Sequence, residues 1–581
     1  MPDPQLVLAA RVQAALSAAF GPSHADTDPV IRPSQFADLQ ANVALPLAKK
    51  LGRKPRDVAQ EIVANLDTGD VVSDVQVSGP GFINLTLSDG WIAAEAQHAL
   101  EDERLAVPAA DKPQKIVVEY SSPNVAKEMH VGHLRTTIVG DAIARILAFL
   151  GHDVVRDNHV GDWGTPFGML IEHLIDLGED AAARDDSSVS DLTAFYQAAR
   201  EKFDGDAEFA DRSRRRVVAL QAGDAETLRL WQVLVDVSKR YFNAVYGRLG
   251  VTLTDDDIKG ESYYNDLLAP TAQELEDKGI AVISEGALCA FPPGFTGREG
   301  EPLPVIIRKS DGGYNYSTTD LATIRYRVDT EHVDRMVYVV GAPQSLHFQM
   351  VFAVSRMAGW LNGDVEAEHA QIGNVLGTDG KILRTRAGGT VKLSELLGEA
   401  VERAGAVFDE IQHDEPFDDA TRAAIVQDVG IGAVKYADLS VARDSEYIFD
   451  FDRMISFHGK TGPYLQYAAA RIRSIFRKGG LEPQDATGPI VLGHPAERAL
   501  ALELLGFGAV LKQAGDTAEP HRLASYVYAV ADAYTTFYEN CPVLKAPDEA
   551  AKASRLALCA ATLRTLTTGL ALLGVPTPDR M

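Results

Sequence analysis

The chain has 581 residues, 46% hydrophobic and 24% charged, and a formal net charge of −26. That length predicts three or four domains, and that balance excludes a chain disordered over most of its length. No apolar run approaches the roughly 18 residues a membrane span needs. The acidic, amphipathic start "MPDPQLVLAARVQAALSAAFG" does not read as a signal peptide, so a cytoplasmic protein is expected. Cys289, Cys541 and Cys559 are scattered, which supports neither a disulfide framework nor a cysteine zinc site. The acidic balance argues against a nucleic-acid partner in general, yet "DRSRRRVV" (211–218) and "AAARIRSIFRKGG" (468–480) are locally basic and leave room for one.

In chain order, residues 1–110 predict a small α+β domain. It has an amphipathic helix over 5–20, a helical stretch over 43–66, and the alternating "VVSDVQVSGPGFINLTLS" with a Gly-Pro-Gly turn. "EDERLAVPAADKPQ" follows as a polar linker. From 115 the pattern becomes strand, loop, helix. "KIVVEY" leads through a loop into "HLRTTIVGDAIARILAFLG", where Leu134, Ile138, Ala142, Ile146 and Leu150 fall on one face and Gly151 offers a C-cap. "RMVYVVGAPQSLHFQMVFAVSRMAGWL" (335–361) repeats that order, which predicts a Rossmann-type, nucleotide-binding parallel α/β domain over 111–425. Within it, 160–310 reads as a largely helical insertion rather than another sheet. Residues 426–581 read as an all-α bundle.

The chemistry concentrates in His130-Val131-Gly132-His133, placed where the first strand hands over to a long helix. A glycine there lets a nucleotide lie against the backbone. The helix N-terminus favours phosphate, and two imidazoles can contact phosphoryl oxygens. Lys127 stands three positions ahead.

The wider stretch "VEYSSPNVAKEMHVGHLRTTIVGDAIARIL" resembles the signature region of the arginyl-tRNA synthetases, class I enzymes whose HIGH tetrapeptide would be His130 to His133. Further matching segments follow in order: "NHVGDWGTPFGMLI" (158–171), "YNYSTTDLATIRYR" (314–327), "VYVVGAPQSLHFQ" (337–349), "GTDGKILRTRAGGTVKLSELL" (377–397) and "TGPYLQYAAARIRSI" (461–475). "GPGFINL" near the start and "VPTPDRM" at the end fit the same family, so the resemblance spans the chain.

The resemblance implies a two-step reaction in which L-arginine and ATP form arginyl-adenylate, and the arginyl group then passes to tRNA(Arg). ATP would come with Mg²⁺ as a substrate complex, without a tightly bound cofactor or a resident metal, in a monomer that needs bound tRNA for efficient activation. His130, Gly132, His133 and His347 would contact ATP. Glu119, Ser121, Asn124, Tyr316, Asp320 and Gln344 would contact arginine, with Asp320 first choice for the guanidinium because carboxylates meet that planar cation with paired hydrogen bonds. In the C-terminal, anticodon-binding bundle, Tyr464, Gln466, Tyr467, Arg471 and Arg473 supply aromatic and cationic groups suited to unpaired RNA. The N-terminal domain would contact the tRNA elbow.

One departure stands out. The family's KMSKS loop reads "DGKILRTRAGG", with Arg384 and Thr385 where serine and the second lysine belong, or Lys381 and Arg384 at the two lysine positions in a shifted register. Either way the second lysine is missing, and the resemblance implies that Lys127 compensates, alone or with Lys381, Arg384 or Arg386. Two other readings share the HxGH element: a class I enzyme for another amino acid and a small-substrate adenylyltransferase. A cysteine-specific enzyme would need zinc ligands that the lone cysteines do not supply. An adenylyltransferase would leave both outer domains without a purpose.

Overall fold

The computed structural model describes residues 3–178, 192–384, 390–410 and 416–581. The N-terminal region folds as expected from helix α1 (Pro4–Phe20), helices α2 (Ala44–Leu51) and α3 (Pro55–Ala64), and the hairpin β3 (Val72–Ser78) and β4 (Phe82–Leu87). Two short strands, β1 (Ile31–Pro33) and β2 (Leu39–Ala41), extend that hairpin into an antiparallel sheet ordered β1-β2-β4-β3. The helix α4 (Asp89–Glu101) follows. The predicted polar linker is packed down, because Leu105 and Val107 within it are buried and Arg104 stacks 4.9 Å over Phe149.

The parallel sheet consists of β5 (Lys115–Glu119), β6 (Asp153–Asp157), β10 (Arg335–Tyr338) and β11 (Glu366–His369), ordered β11-β10-β5-β6. Ile116 and Val118 face one hydrophobic core and Val117 a second, so β5 is covered on both sides and its unbroken apolar run is what such a strand needs. The crossover from β5 to β6 is the long helix α5 (Val131–Phe149), whose predicted apolar face is fully buried and whose end is turned by Gly151 at φ +91°. Gly140 on α5 lies against Tyr120, where an added Cβ would stand 2.2 Å from the tyrosine Cβ, so only glycine allows this helix-to-strand approach. Chain order turns back between β5 and β10, the place where α/β sheets open a ligand crevice at their carboxyl ends. The register there sets His369, Tyr338, Glu119 and Asp157 side by side.

The segment expected to lack a sheet differs. After helices α6 (Pro166–Leu177), α7 (Leu192–Gly205), α8 (Ala207–Gln221), α9 (Ala225–Leu249) and α10 (Asn265–Asp277) come β7 (Ala281–Ser284), β8 (Ala287–Ala290) and β9 (Val305–Arg308), a small antiparallel sheet. Its four-residue strands bury Ala281, Leu288, Ala290, Val305 and Ile307 in the second core and leave Val282, Ile283 and Ile306 exposed. They are too short for alternation to stand out in a charged stretch. Helices α11 (Tyr316–Asp329) and α12 (Ser345–Met357) flank β10.

Helices α13 (Leu393–Glu410) and α14 (Asp419–Leu439) lead into the helical C-terminal region, and α14 runs unbroken through residues 425 and 426. The C-terminal region is pinned to the sheet domain by Arg135 of α5. Its guanidinium meets Asp438 of α14 at 3.0 Å and donates to the carbonyls of Gly373 (3.0 Å) and Ser445 (2.7 Å). Both side chains are almost fully buried, at 1% and 0% exposure. Asp438→Ala would strand that buried guanidinium without its carboxylate, at a cost of about 3–5 kcal/mol. The expected outcome is a lowered midpoint of thermal unfolding, and an unchanged midpoint would show that the pair does not hold the two regions together.

Candidate functional site

The first turn of α5 is capped by its own histidines. His130 Nδ1 accepts the Gly132 N–H at 3.0 Å, and His133 Nδ1 accepts the His130 N–H at 3.1 Å, which closes a capping box. The rings lie 4.0 Å apart. Burial lowers the affinity of both for a proton, reinforced by the Lys127 charge, and His133 is pushed down to about 3. Both rings are therefore neutral near pH 7. With each Nδ1 accepting, each proton sits on Nε2, so the helix N-terminus presents two N–H donors. An added Cβ at Gly132 would stand 2.8 Å from His130 Cε1, so this glycine makes the ring's position possible.

The loop ahead of this helix is held in a strained shape, with Ser121, Ser122 and Ala126 at φ +72°, +49° and +58°. It is braced mainly by α9. Ser238 Oγ accepts the Ala126 N–H at 2.9 Å, Tyr241 accepts the Met129 N–H at 3.0 Å, and the Tyr246 hydroxyl lies 2.7 Å from Ser121 Oγ. Asn158 accepts the Ser122 N–H at 3.0 Å and donates to Tyr246 at 3.0 Å. Ser121 is buried inside this network, so its hydroxyl supports the loop, whereas Asn124 is exposed beside Gly161. On the other side, Val391 and Leu393 pair with Val131 and Met129, and Lys392 meets Glu128 at 2.8 Å.

His130 and Gly132 line a cavity of about 540 Å³ together with Arg135, Gly341 and Arg384, so the late loop and the histidine turn face one space. Lys381 and Arg384 are both exposed. Thr385 and Arg386 lie outside the described residues. Lys127 is half-buried, its ammonium 4.3 Å from the centre of the Tyr196 ring.

A second cluster forms at the strand ends. Asp320 meets His347 Nε2 at 2.5 Å, and the Tyr316 ring packs 5.0 Å from that imidazole while remaining 64% exposed. Gln344 is exposed at the start of α12. Deeper in, Arg327 bridges Glu119 (2.7 Å) and Asp157 (3.0 Å) and lies 5.2 Å over the Tyr338 ring. Burial pushes the Glu119 carboxyl up, against the pull of Arg327. Burial alone would pull His159 down, but Glu119 and Asp157 more than offset it and hold it above the usual range. Glu119, Asp157 and His159 offer ligand atoms within 4.8 Å of one another, but Arg327 already supplies a cation there. Glu261 is pushed up to about 7, by burial first and then by Asp162 and Asp320 against His159.

Sequence reasoning missed Arg135, Arg327, Asp157, His159 and Glu261, although all but Glu261 sit inside or next to segments it had singled out. In the helix α15 (Gly462–Gly479) the five predicted residues divide. Gln466 is fully buried and donates to the carbonyls of Asp428 (2.9 Å) and Pro576 (2.8 Å), so it is a core brace rather than a surface contact. Arg473 is likewise committed, to the Pro578 carbonyl at 3.0 Å and to Asp579 at 3.3 Å. Tyr464 and Tyr467 are half-buried, and Arg471 stacks 4.7 Å over Tyr467 and 5.2 Å over Tyr538.

Three family models match the chain in succession. Residues 6–87 match the arginyl tRNA synthetase N terminal domain, 95–451 the tRNA synthetases class I (R) catalytic domain, and 465–581 the DALR anticodon binding domain. The arginine–tRNA ligase of Thermobifida fusca is 65% identical over 581 residues, with 100% of each chain covered. That of Cellvibrio japonicus is 49% identical, with 98% of each covered. The solved arginyl-tRNA synthetase of Plasmodium falciparum superposes with a TM-score of 0.83 at 28% identity, covering 100% of both chains. That of Thermus thermophilus gives 0.82 at 26%, covering 99% of this chain and 100% of the other.

The capping pair predicts an acid-sensitive fold. His133 has a folded-state affinity for protons below its unfolded value of 6.5, so the stability it contributes is complete above pH 6.5 and is lost as pH falls from there towards about 3. In His133→Asn the amide oxygen can accept the His130 N–H at any pH. The thermal midpoint of the variant should fall less steeply than wild type between pH 6.5 and 5, and parallel slopes would contradict the neutral cap.

Proposed function

We propose a division of labour for a chain that belongs to the class I arginyl-tRNA synthetase family and is an arginine–tRNA ligase: the histidine turn, Lys127 and the late loop handle the nucleotide, and the strand-end carboxylates handle the amino acid. The ordered N-terminal, catalytic and anticodon-binding matches along one chain carry this reading. In the first step a carboxylate oxygen of arginine attacks the α-phosphorus of ATP, and pyrophosphate leaves with the bond's electrons. In the second, a hydroxyl of the terminal ribose of tRNA(Arg) attacks the acyl carbon, and AMP leaves.

Neither step needs a protein nucleophile. Adenylation needs reactants in line and compensation for negative charge spreading over the α-phosphate and pyrophosphate. Two neutral Nε2–H donors at a helix N-terminus suit that task, since they bind the anion without having to surrender a proton. Lys127 would supply the cation that the late loop lacks, with Arg384 lining the cavity at the histidine turn and Lys381 exposed on the same loop. Magnesium would arrive on the ATP.

For the amino acid, Asp320 is the guanidinium partner, with the Tyr316 phenol one helical turn away on the same face of α11. Asn124, Gln344 and Glu119 would hold the α-amino and carboxylate end, and His347 would keep Asp320 oriented. Residues 1–110, 111–425 and 426–581 would serve as tRNA-contacting, catalytic and anticodon-binding regions. Tyr464, Tyr467 and Arg471 offer aromatic faces and charge to unpaired bases. The enzyme would work as a cytoplasmic monomer.

Amino-acid-dependent exchange between ATP and pyrophosphate, with and without tRNA(Arg), tests the reading. Arginine should support exchange and tRNA(Arg) should increase it; preference for another amino acid would overturn it. Lys127→Ala should lower the rate of adenylate formation by about 10- to 100-fold, with the arginine KM within about two-fold of wild type. Asp320→Asn should instead raise the arginine KM at least about ten-fold, because a charge-assisted pair is lost.

A further inference from the structure

Lys127 presents a problem of its own. A flexible ammonium expected to act on a phosphate chain must be kept near it without being neutralised by the protein. The neighbouring carboxylate, Glu128, is turned away to Lys392 at 2.8 Å. Among the described residues no carboxylate forms an ion pair with Lys127, and its close partner is the ring of Tyr196, 4.3 Å from the ammonium to the ring centre. Tyr196 belongs to α7, which is anchored by buried Leu192 and Ala199 and by Phe195 packing 5.0 Å from His173. Nothing in the nucleotide or amino-acid clusters requires that helix to place an aromatic residue here.

We propose that Tyr196 is a positioning residue for adenylate formation: its ring face holds the Lys127 ammonium in place without a competing anion. The inference rests on the role assigned to Lys127 above. A carboxylate in this position would bind the ammonium and oppose its transfer to phosphate. A π face attracts the cation through the ring quadrupole yet offers no anionic oxygen to displace. It also narrows the rotamers of a long side chain, which otherwise loses freedom when it meets its target. The charge is felt where it would be needed, since Lys127 depresses the proton affinity of both His130 and His133. The phenol oxygen has no part in this, so the ring is the functional element.

The test is a double-mutant cycle on the full-length enzyme, read as the single-turnover rate of adenylate formation and the arginine KM. Tyr196→Phe keeps the ring and should stay within about two-fold of wild type, whereas Tyr196→Leu should slow the step about three- to ten-fold with an unchanged arginine KM. In a Lys127→Ala background Tyr196→Leu should add no further loss. Wild-type rates in Tyr196→Leu, alongside a slow Lys127→Ala, would overturn the role of Tyr196 alone. An equal loss from Tyr196→Leu in both backgrounds would also overturn it, by showing that the residue merely supports its helix. A Lys127→Ala enzyme as fast as wild type would overturn the reading of Lys127 and this inference together. Tyr196→Trp, which restores an aromatic face in another shape, separates a lost ring from a misfolded helix: recovery supports the proposal and a loss equal to that of Tyr196→Leu contradicts it.

Discussion

The site depends on one reciprocal bond pair, in which two imidazoles cap the helix that carries them. The first backbone N–H groups of a helix have no partner within it, and most sequences satisfy them with a serine, threonine or aspartate oxygen. Here the acceptors are His130 Nδ1 and His133 Nδ1. That choice commits both rings to neutrality and to protonation at Nε2, so capping the helix and creating a pair of Nε2–H donors become the same event. A carboxylate cap would have cancelled the positive end of the helix dipole, and two imidazoles leave it intact.

Everything around the turn keeps that geometry and its charge state. Hydroxyls from α9 brace the strained loop ahead of it. Arg135, one turn into the helix, ties it to Gly373, Ser445 and Asp438, and thereby to the strand that leads into the late loop and to the helix that opens the C-terminal region. Arg384 lines the cavity at the histidine turn and the Lys127 charge reaches both imidazoles, while Glu119, Asp157 and Asp320 gather at the strand ends. A substrate pair with a polyphosphate at one end and a guanidinium at the other suits that polarity.

Much of the architecture was legible in the sequence because it rests on long periodic segments: the buried positions at four-residue spacing along α5 to its cap at Leu150, the repeated strand, turn and helix around β10, and the helical C-terminal region. What escaped was short or non-local. The strands β1 and β2 have three residues each, and β7 to β9 have four, too few for a pattern to rise above their surroundings. The braces at Ser238, Tyr241 and Tyr246 lie more than 100 residues from the loop they hold, and nothing in their own stretch marks them as partners. Gln466 shows the converse error, since an amide between two tyrosines looks like a base reader until its Nε2 is found donating to the carbonyls of Asp428 and Pro576. The histidine turn was visible as a motif, but its charge state was not, because that follows from which nitrogen accepts a backbone proton.

The protonation state of that turn is the claim on which the mechanism stands, and it can be measured directly. Nitrogen NMR of enzyme labelled with ¹⁵N-histidine, assigned with His130→Asn and His133→Asn, distinguishes the two tautomers and the imidazolium. Two neutral rings are expected at pH 7 with bare Nδ1 and protonated Nε2, the His133 ring staying neutral well below pH 6. An imidazolium or an Nδ1–H tautomer at either position would contradict the claim, because the cap and the donors would then be different groups.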